Sequence, residues 1–200
     1  MSNRKHLIVL SAPSGAGKTT VARHLLSTFP QLRFSVSATT RQQRPGEVDA
    51  TDYFFLSREE FRQRIEQGDL IEYEEIFGNY YGTLRTVVSE AIGRGEFLVF
   101  DVDVKGALSL QGAFPQDTLL IFVAPPSLES LRERLTSRHT ETAEQIDTRL
   151  ARAEMEMAHQ EMFDVVLVNN KLEETLTRAT DLVRQHVEGS PHQPSLFAEP

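Results

Sequence analysis

Apolar residues along this chain gather into four short runs separated by longer mixed stretches. The runs are His6-Leu7-Ile8-Val9-Leu10-Ser11, Phe97-Leu98-Val99-Phe100, Leu119-Leu120-Ile121-Phe122-Val123 and Val165-Val166-Leu167-Val168. They are too short for helices and too continuously apolar for half-exposed strands, so they predict strands of a sheet covered on both faces, as in a parallel sheet. Between them the period lengthens. Residues 19–28 place Val21, Leu25 and Leu26 on one helical face, and the preceding run is stopped by Pro13 and Gly15, so the chain begins strand, loop, helix. Ser57-x-x-Glu60, Thr142-x-x-Gln145 and Asn170-x-x-Glu173 mark further helix starts, where a side chain can cap unpaired backbone N–H groups. After Thr142, Ile146, Leu150, Ala153 and Met157 form an apolar stripe, with Arg149 and Arg152 off its centre. The fold class expected is α/β, with a central parallel sheet flanked by helices.

Residues 38–94 interrupt this alternation. They are richer in polar residues, turns and tyrosines, and read as an inserted subdomain in a core formed by 1–37 and 95–187. Residues 188–200 carry three prolines and little periodicity, as a flexible tail does. A chain of 200 residues fits one domain with insertions. Its 40% hydrophobic and 25% charged residues suit a globular protein, and no run approaches the length of a membrane span. With no signal-peptide pattern and no cysteine, the expectation is a cytoplasmic protein without disulfides, thiol nucleophiles or thiolate metal sites. The net charge of -8 argues against nucleic acid as a partner and requires basic residues for anionic ligands to be concentrated locally. Of the 21 basic residues only four are lysines, and Lys18 stands out by its setting.

That setting is Ala12-Pro13-Ser14-Gly15-Ala16-Gly17-Lys18-Thr19-Thr20, between the first strand and the first helix. The pattern Gly-x-x-x-x-Gly-Lys-Ser/Thr lets successive backbone N–H groups face phosphate oxygens without side-chain obstruction. Gly15 and Gly17 allow the close approach, Lys18 bridges the outer phosphates, and Thr19 offers a hydroxyl to Mg²⁺. The first glycine of the pattern is replaced by Ala12, which requires negative φ there. Such a loop binds nucleotide phosphates but does not name a reaction.

The segment Phe34-Ser-Val-Ser37-Ala-Thr-Thr-Arg41-Gln-Gln-Arg44-Pro-Gly-Glu47, running on to Tyr53, closely resembles the guanylate kinases, as does Gly78-Asn79-Tyr80-Tyr81-Gly82-Thr83. The resemblance continues through Asp101-Val-Asp103-Val-Lys105-Gly106, Ala124-Pro125-Pro126-Ser127 and Arg138-His-Thr140-Glu141-Thr142, and covers about residues 6–187. It implies a P-loop kinase fold with an inserted GMP-binding subdomain and a helical lid at about 134–155. It puts Arg41, Arg44, Tyr53 and Tyr81 on the GMP phosphate, and Ser37, Glu72, Thr83 and Asp103 on the base. Arg134, Arg138 and Arg149 match the lid that closes over ATP.

The chemistry of these residue types supports that assignment. Guanidinium forks and tyrosine hydroxyls suit a phosphate dianion. Guanine presents N1–H and N2–H₂ donors beside the O6 acceptor. Glu72 can accept from the donors, and a hydroxyl of Ser37 or Thr83 can donate to O6, whereas adenine would turn a lone pair toward the carboxylate. Asp101 ends an apolar strand, where a carboxylate can organise Mg²⁺ or its waters together with Thr19. The implied reaction is ATP + GMP ⇌ ADP + GDP, a step of purine nucleotide recycling, with Mg²⁺ as cofactor and Lys18, Arg41, Arg138, Arg149 and Asp101 as the catalytic set. Two other readings stay open at this level: a related small-metabolite kinase, such as one acting on a ribose bisphosphate, and a catalytically silent interaction module. The residue pattern assigns no oligomeric state. In the tail, Gln193-Pro194-Ser195-Leu196-Phe197 resembles short peptides that dock on bacterial sliding clamps, a match that chance alone readily produces in such a tail.

Overall fold

The four apolar runs become parallel strands of one sheet because their side chains have packing partners on both faces. A computed structural model describes residues 4–137 and 142–188. In chain order it begins with β1 (Leu7–Ser11), α1 (Lys18–Thr28) and β2 (Leu32–Phe34). There follow β3 (Ala38–Thr39), β4 (Phe54–Phe55), α2 (Arg58–Glu66), β5 (Leu70–Ile76) and β6 (Asn79–Leu84). The remainder is α3 (Arg85–Gly93), β7 (Phe97–Asp101), α4 (Val104–Ala113), β8 (Thr118–Ala124), α5 (Leu128–Thr136), α6 (Ala143–Met157), β9 (Val165–Val168) and α7 (Leu172–Val187).

The main sheet has the order β2-β7-β1-β8-β9, and every pairing in it is parallel. Alternate residues of β1 serve opposite layers. Ile8 and Leu10 pack with Val21 and Leu25 of α1 and Ala179 and Val183 of α7, whereas Leu7 and Val9 face Val88 of α3 and Ala107 and Leu110 of α4. All four β1 residues are fully buried, which is why the sequence there is apolar without alternation.

A second sheet, β4-β3-β6-β5, comes from residues 38–84 and carries α2 through the buried Phe61. Its β5–β6 hairpin turns at Phe77 and Gly78, both at positive φ. The polar stretch read from the sequence ran on to 94, but α3 packs Val88 and Ala91 into the main core while its Val87 touches the smaller one. Helices α5 and α6 form a separate cluster around Leu131, Leu135, Ile146 and Ala153.

Two of the three expected helix caps form as capping boxes, Ser57 with Glu60 and Thr142 with Gln145. The third is corrected. Asn170 N–H bonds back to Val168 C=O, so the chain turns once more and α7 begins after Lys171, with no side-chain cap. Glu173 and Glu174 in its first turn complement the helix dipole instead. Among the described residues no helix is long and apolar enough to cross a membrane. Gln193, Leu196 and Phe197 of the clamp-like peptide lie outside the described residues.

Candidate active site

The loop from Ala12 to Gly17 leaves the C-terminal end of β1 at the centre of the main sheet and leads into α1. Its geometry depends on its two glycines. Gly17 is the N-cap of α1 at φ 105°, and a Cβ there would lie 2.4 Å from Asn169 Nδ2. Gly15 has φ 90°, and its Cβ would crowd Leu131 and Leu135 at 3.1 Å. The only non-glycine residues at positive φ among those described are Ala50 and Phe77, so Ala12 meets the conformational requirement of its position. Ala16 is fully buried, and its C=O accepts from Asn169 Nδ2 at 2.7 Å. The first turn of α1 has no acidic residue and no side-chain cap, which leaves its end open to an anion, with Thr20 N–H turned back to Gly17 C=O at 3.1 Å.

A cavity of about 560 Å³ opens over this loop, lined by residues including Ser14, Lys18, Thr20, Asp103, Arg149 and Arg152. Arg149 Nη1 donates to Ser14 Oγ at 3.0 Å, which carries a guanidinium from α6 to the loop. Lys18 Nζ pairs with Asp101 Oδ1 at 2.7 Å and donates to Val102 C=O at 2.8 Å. Thr19 Oγ1 lies 3.4 Å from Asp101 Oδ2. A hydroxyl and a carboxylate, both hard oxygen donors, fit Mg²⁺, which takes few protein ligands and completes its octahedron with water and phosphate oxygens. Among the described residues no group of three or more His, Cys, Asp or Glu forms a metal cage, which a site of this sparse kind does not need.

A second cavity of about 320 Å³ lies between β5 and α4, lined by Glu72, Glu74, Asp103, Gly106 and Ser109 among others. Glu72 and Thr83 face each other across β5 and β6, with Thr83 Oγ1 donating to Glu72 Oε1 at 2.6 Å. Burial pushes the Glu72 carboxyl above the usual carboxylate range. The Thr83 hydrogen bond opposes the rise, and the negative charges of Asp103 and Glu74 add to it. Asp103 caps α4 through the Gly106 N–H at 2.8 Å. It lines both cavities and so marks where they meet. Ser37 lies just before β3, its C=O accepting from Phe54 N–H at 2.9 Å.

Beside β3, the Arg41 guanidinium lies over the ring of Tyr53, 5.2 Å from its centroid, and the Tyr53 and Tyr81 rings meet edge-on at 6.2 Å. Arg44 belongs to the same loop, but its side chain is exposed and its backbone N–H donates to Glu47. Arg134 stands behind the phosphate loop, donating from Nη2 to Asn169 C=O at 2.7 Å. Arg138 lies outside the described residues.

The family model described as guanylate kinase matches residues 4–186. The chain belongs to the guanylate kinase family. A guanylate kinase of Chlorobium luteolum is 51% identical over 170 residues, covering 85% of this chain and 86% of its own. One of Salinibacter ruber is 52% identical over 179 residues, covering 87% and 95%. A crystal structure of guanylate kinase from Anaplasma phagocytophilum superposes with a TM-score of 0.68 at 33% identity, over 96% of this chain and 90% of that one.

Within this guanylate kinase framework, three side chains enter the site region that residue types alone did not place there. Glu47 holds Arg41 in a two-pronged ion pair. Its signal was the Arg44-Pro45-Gly46-Glu47 turn, which closes from Glu47 N–H to Arg44 C=O at 3.1 Å and folds the acid back onto the arginines. Arg152, one helical turn beyond Arg149, pairs with Glu156 at 2.9 Å and lies 3.9 Å from Asp103. Asn169, just beyond β9, turns its amide nitrogen to the phosphate loop.

Proposed function

We propose that this chain transfers the γ-phosphoryl group of ATP to GMP, giving ADP and GDP. The observation that carries this reading is that Asp103 lines both a phosphate-loop cavity and a cavity in which the half-buried Glu72 carboxylate can accept from the N1–H and N2–H₂ donors of guanine. ATP lies with its phosphates along Gly15, Gly17, Lys18 and Thr19. GMP lies with its base at Ser37, Glu72, Thr83 and Asp103 and its phosphate at Arg41, Arg44, Tyr53 and Tyr81.

An oxygen of the GMP phosphate attacks the γ-phosphorus in line. One P–O bond forms as the bond to the β-phosphate oxygen breaks, and ADP leaves with that electron pair. No general base is required, because a phosphate monoester with a second pKa of about 6 is largely deprotonated near neutrality. The protein therefore has to hold two polyanions in line, offset their repulsion and exclude water. Lys18, Arg41, Arg138 and Arg149 supply positive charge where it develops in transfer. Thr19 and Asp101 would hold Mg²⁺, directly or through water, and the ion would neutralise β- and γ-phosphate charge. Lys18 Nζ engages Asp101 and Val102 C=O with two of its three N–H donors, which leaves one to direct at a phosphate oxygen. Residues 134–155, carrying Arg134, Arg138 and Arg149, act as a lid over ATP.

A coupled assay of ADP formation with ATP and each of GMP, AMP, CMP and UMP tests the proposal. GMP should support turnover at least ~100-fold better than AMP, since each mispaired buried polar group costs about 1–3 kcal/mol. Equal rates with AMP, or turnover on a sugar phosphate instead, would contradict it.

A further inference from the structure

The cluster assigned to the acceptor phosphate contains a carboxylate, which by charge alone should weaken the binding of a dianion. Yet Glu47 is tied into the cluster by three hydrogen bonds. Its Oε1 accepts from Arg41 Nη2 at 2.7 Å, and its Oε2 accepts from Arg41 Nη1 at 3.1 Å and from the Arg44 backbone N–H at 2.7 Å. Both partners of the ion pair are largely shielded, with side chains 14% and 19% exposed. The Arg41 fork and the Arg44 N–H hold the Glu47 carboxyl below the usual carboxylate range, so it stays ionised.

The pairing is end-on, one carboxylate oxygen to each terminal nitrogen, and this decides what remains of the guanidinium. Gln42 C=O takes a further Nη1 hydrogen at 2.8 Å. Glu47 and Gln42 thus occupy three of the five N–H groups and leave Nε–H and one Nη2–H, the side fork that grips a phosphate with two parallel bonds; the Tyr81 hydroxyl also lies within reach of the guanidinium, on the cluster assigned to the same phosphate. The rings of Tyr53 and Phe55, with centroids 5.2 and 5.8 Å from the guanidinium carbon, flank the group. A free arginine side chain loses much rotamer entropy on binding, whereas one already clamped at its end loses little.

We propose that Glu47 is a positioning residue that holds the end of the Arg41 guanidinium and thereby presents its Nε/Nη2 edge to the acceptor phosphate. The inference rests on the ATP-to-GMP reading for the identity of that phosphate. The opposite role, a carboxylate that fills the phosphate position and must be displaced, predicts effects of opposite sign, so one experiment separates the two.

Glu47→Gln and Glu47→Asp are compared with the unmodified chain by steady-state kinetics with GMP varied at saturating ATP and ATP varied at saturating GMP. Inhibition by guanosine, which lacks the phosphate, and thermal midpoints are measured alongside. Expected for Glu47→Gln is a rise in the KM for GMP of roughly tenfold or more, the loss of one charged hydrogen-bonding partner, with the KM for ATP and the guanosine inhibition constant within about twofold. Glu47→Asp, which restores the charge, should recover part of the loss. An unchanged or lowered KM for GMP, or an equal loss for guanosine and GMP, overturns the positioning role. If the unmodified chain forms ADP no faster with GMP than without it, the functional reading itself fails, and the inference falls with it.

Discussion

Glu72 sets the cost of the proposed base-binding role at a single position. Its carboxyl is half-buried with one hydroxyl partner, and burial raises its pKa. A carboxyl with a raised folded-state pKa holds its proton more tightly folded than unfolded. Between the ordinary carboxylate value and the raised one the folded chain therefore binds more protons, and stability falls as pH rises through that window. Above it the charged form is unfavourable in the folded protein, a cost that guanine N1–H and N2–H₂ would relieve under the proposed assignment. Glu72→Gln should accordingly raise the thermal midpoint at pH 7–8 while raising the KM for GMP at least ~10-fold, a trade of function for stability. The same upward shift predicts that GMP binding weakens as pH falls through the raised value. A variant less stable than the unmodified chain at pH 8 would show that Glu72 is structural instead.

At the level of elements, the phosphate loop is held from behind as well as shaped by its glycines. Asn169, at the end of β9, donates to the buried Ala16 C=O and fills the space a Cβ on Gly17 would need, while Arg134 of α5 donates to the Asn169 C=O. One residue thus links the main sheet, the loop and α5. Asn169→Ala should leave the Ala16 acceptor unsatisfied at a cost of about 1–3 kcal/mol, and should raise the KM for ATP with little change in the KM for GMP. Equal shifts for both nucleotides would show that the effect is not confined to the loop.

The sequence made these elements legible unevenly, for physical reasons. Three of the four strands of continuous apolar residues were readable because they are covered on both faces, the edge strand β9 because Val166 and Leu167 pack into opposite layers although Val168 is exposed, and two capping boxes because their signal is local. Strands β3 and β4 have two residues each and no period to detect; they exist because β6 pairs with β3 and β3 with β4. The cap expected at Asn170 failed because a backbone turn to Val168 took its place. In the site, the loop pattern pointed to Lys18 and the family resemblance to Glu72 and Arg41, but the hold of Glu47 on Arg41 and of Asn169 on Ala16 depends on how loops close. Neither a carboxylate beside arginines nor an asparagine at a strand end declares its partner in sequence.

For the whole molecule, a chain of net charge -8 binding two polyanions must rely on local positive charge rather than its overall field. That charge comes from separate elements: Lys18 from α1, Arg41 from beside the second sheet, and Arg149 from α6. Transfer therefore depends on bringing these together around both nucleotides while water is kept out. The measurement that tests this most directly is a single turnover with ATP labelled at the γ-phosphorus, excess protein and GMP, with products separated. The account predicts label in GDP, one GDP for each ADP, and little free phosphate. Label released chiefly as inorganic phosphate, or ADP formed at the same rate without GMP, would contradict it.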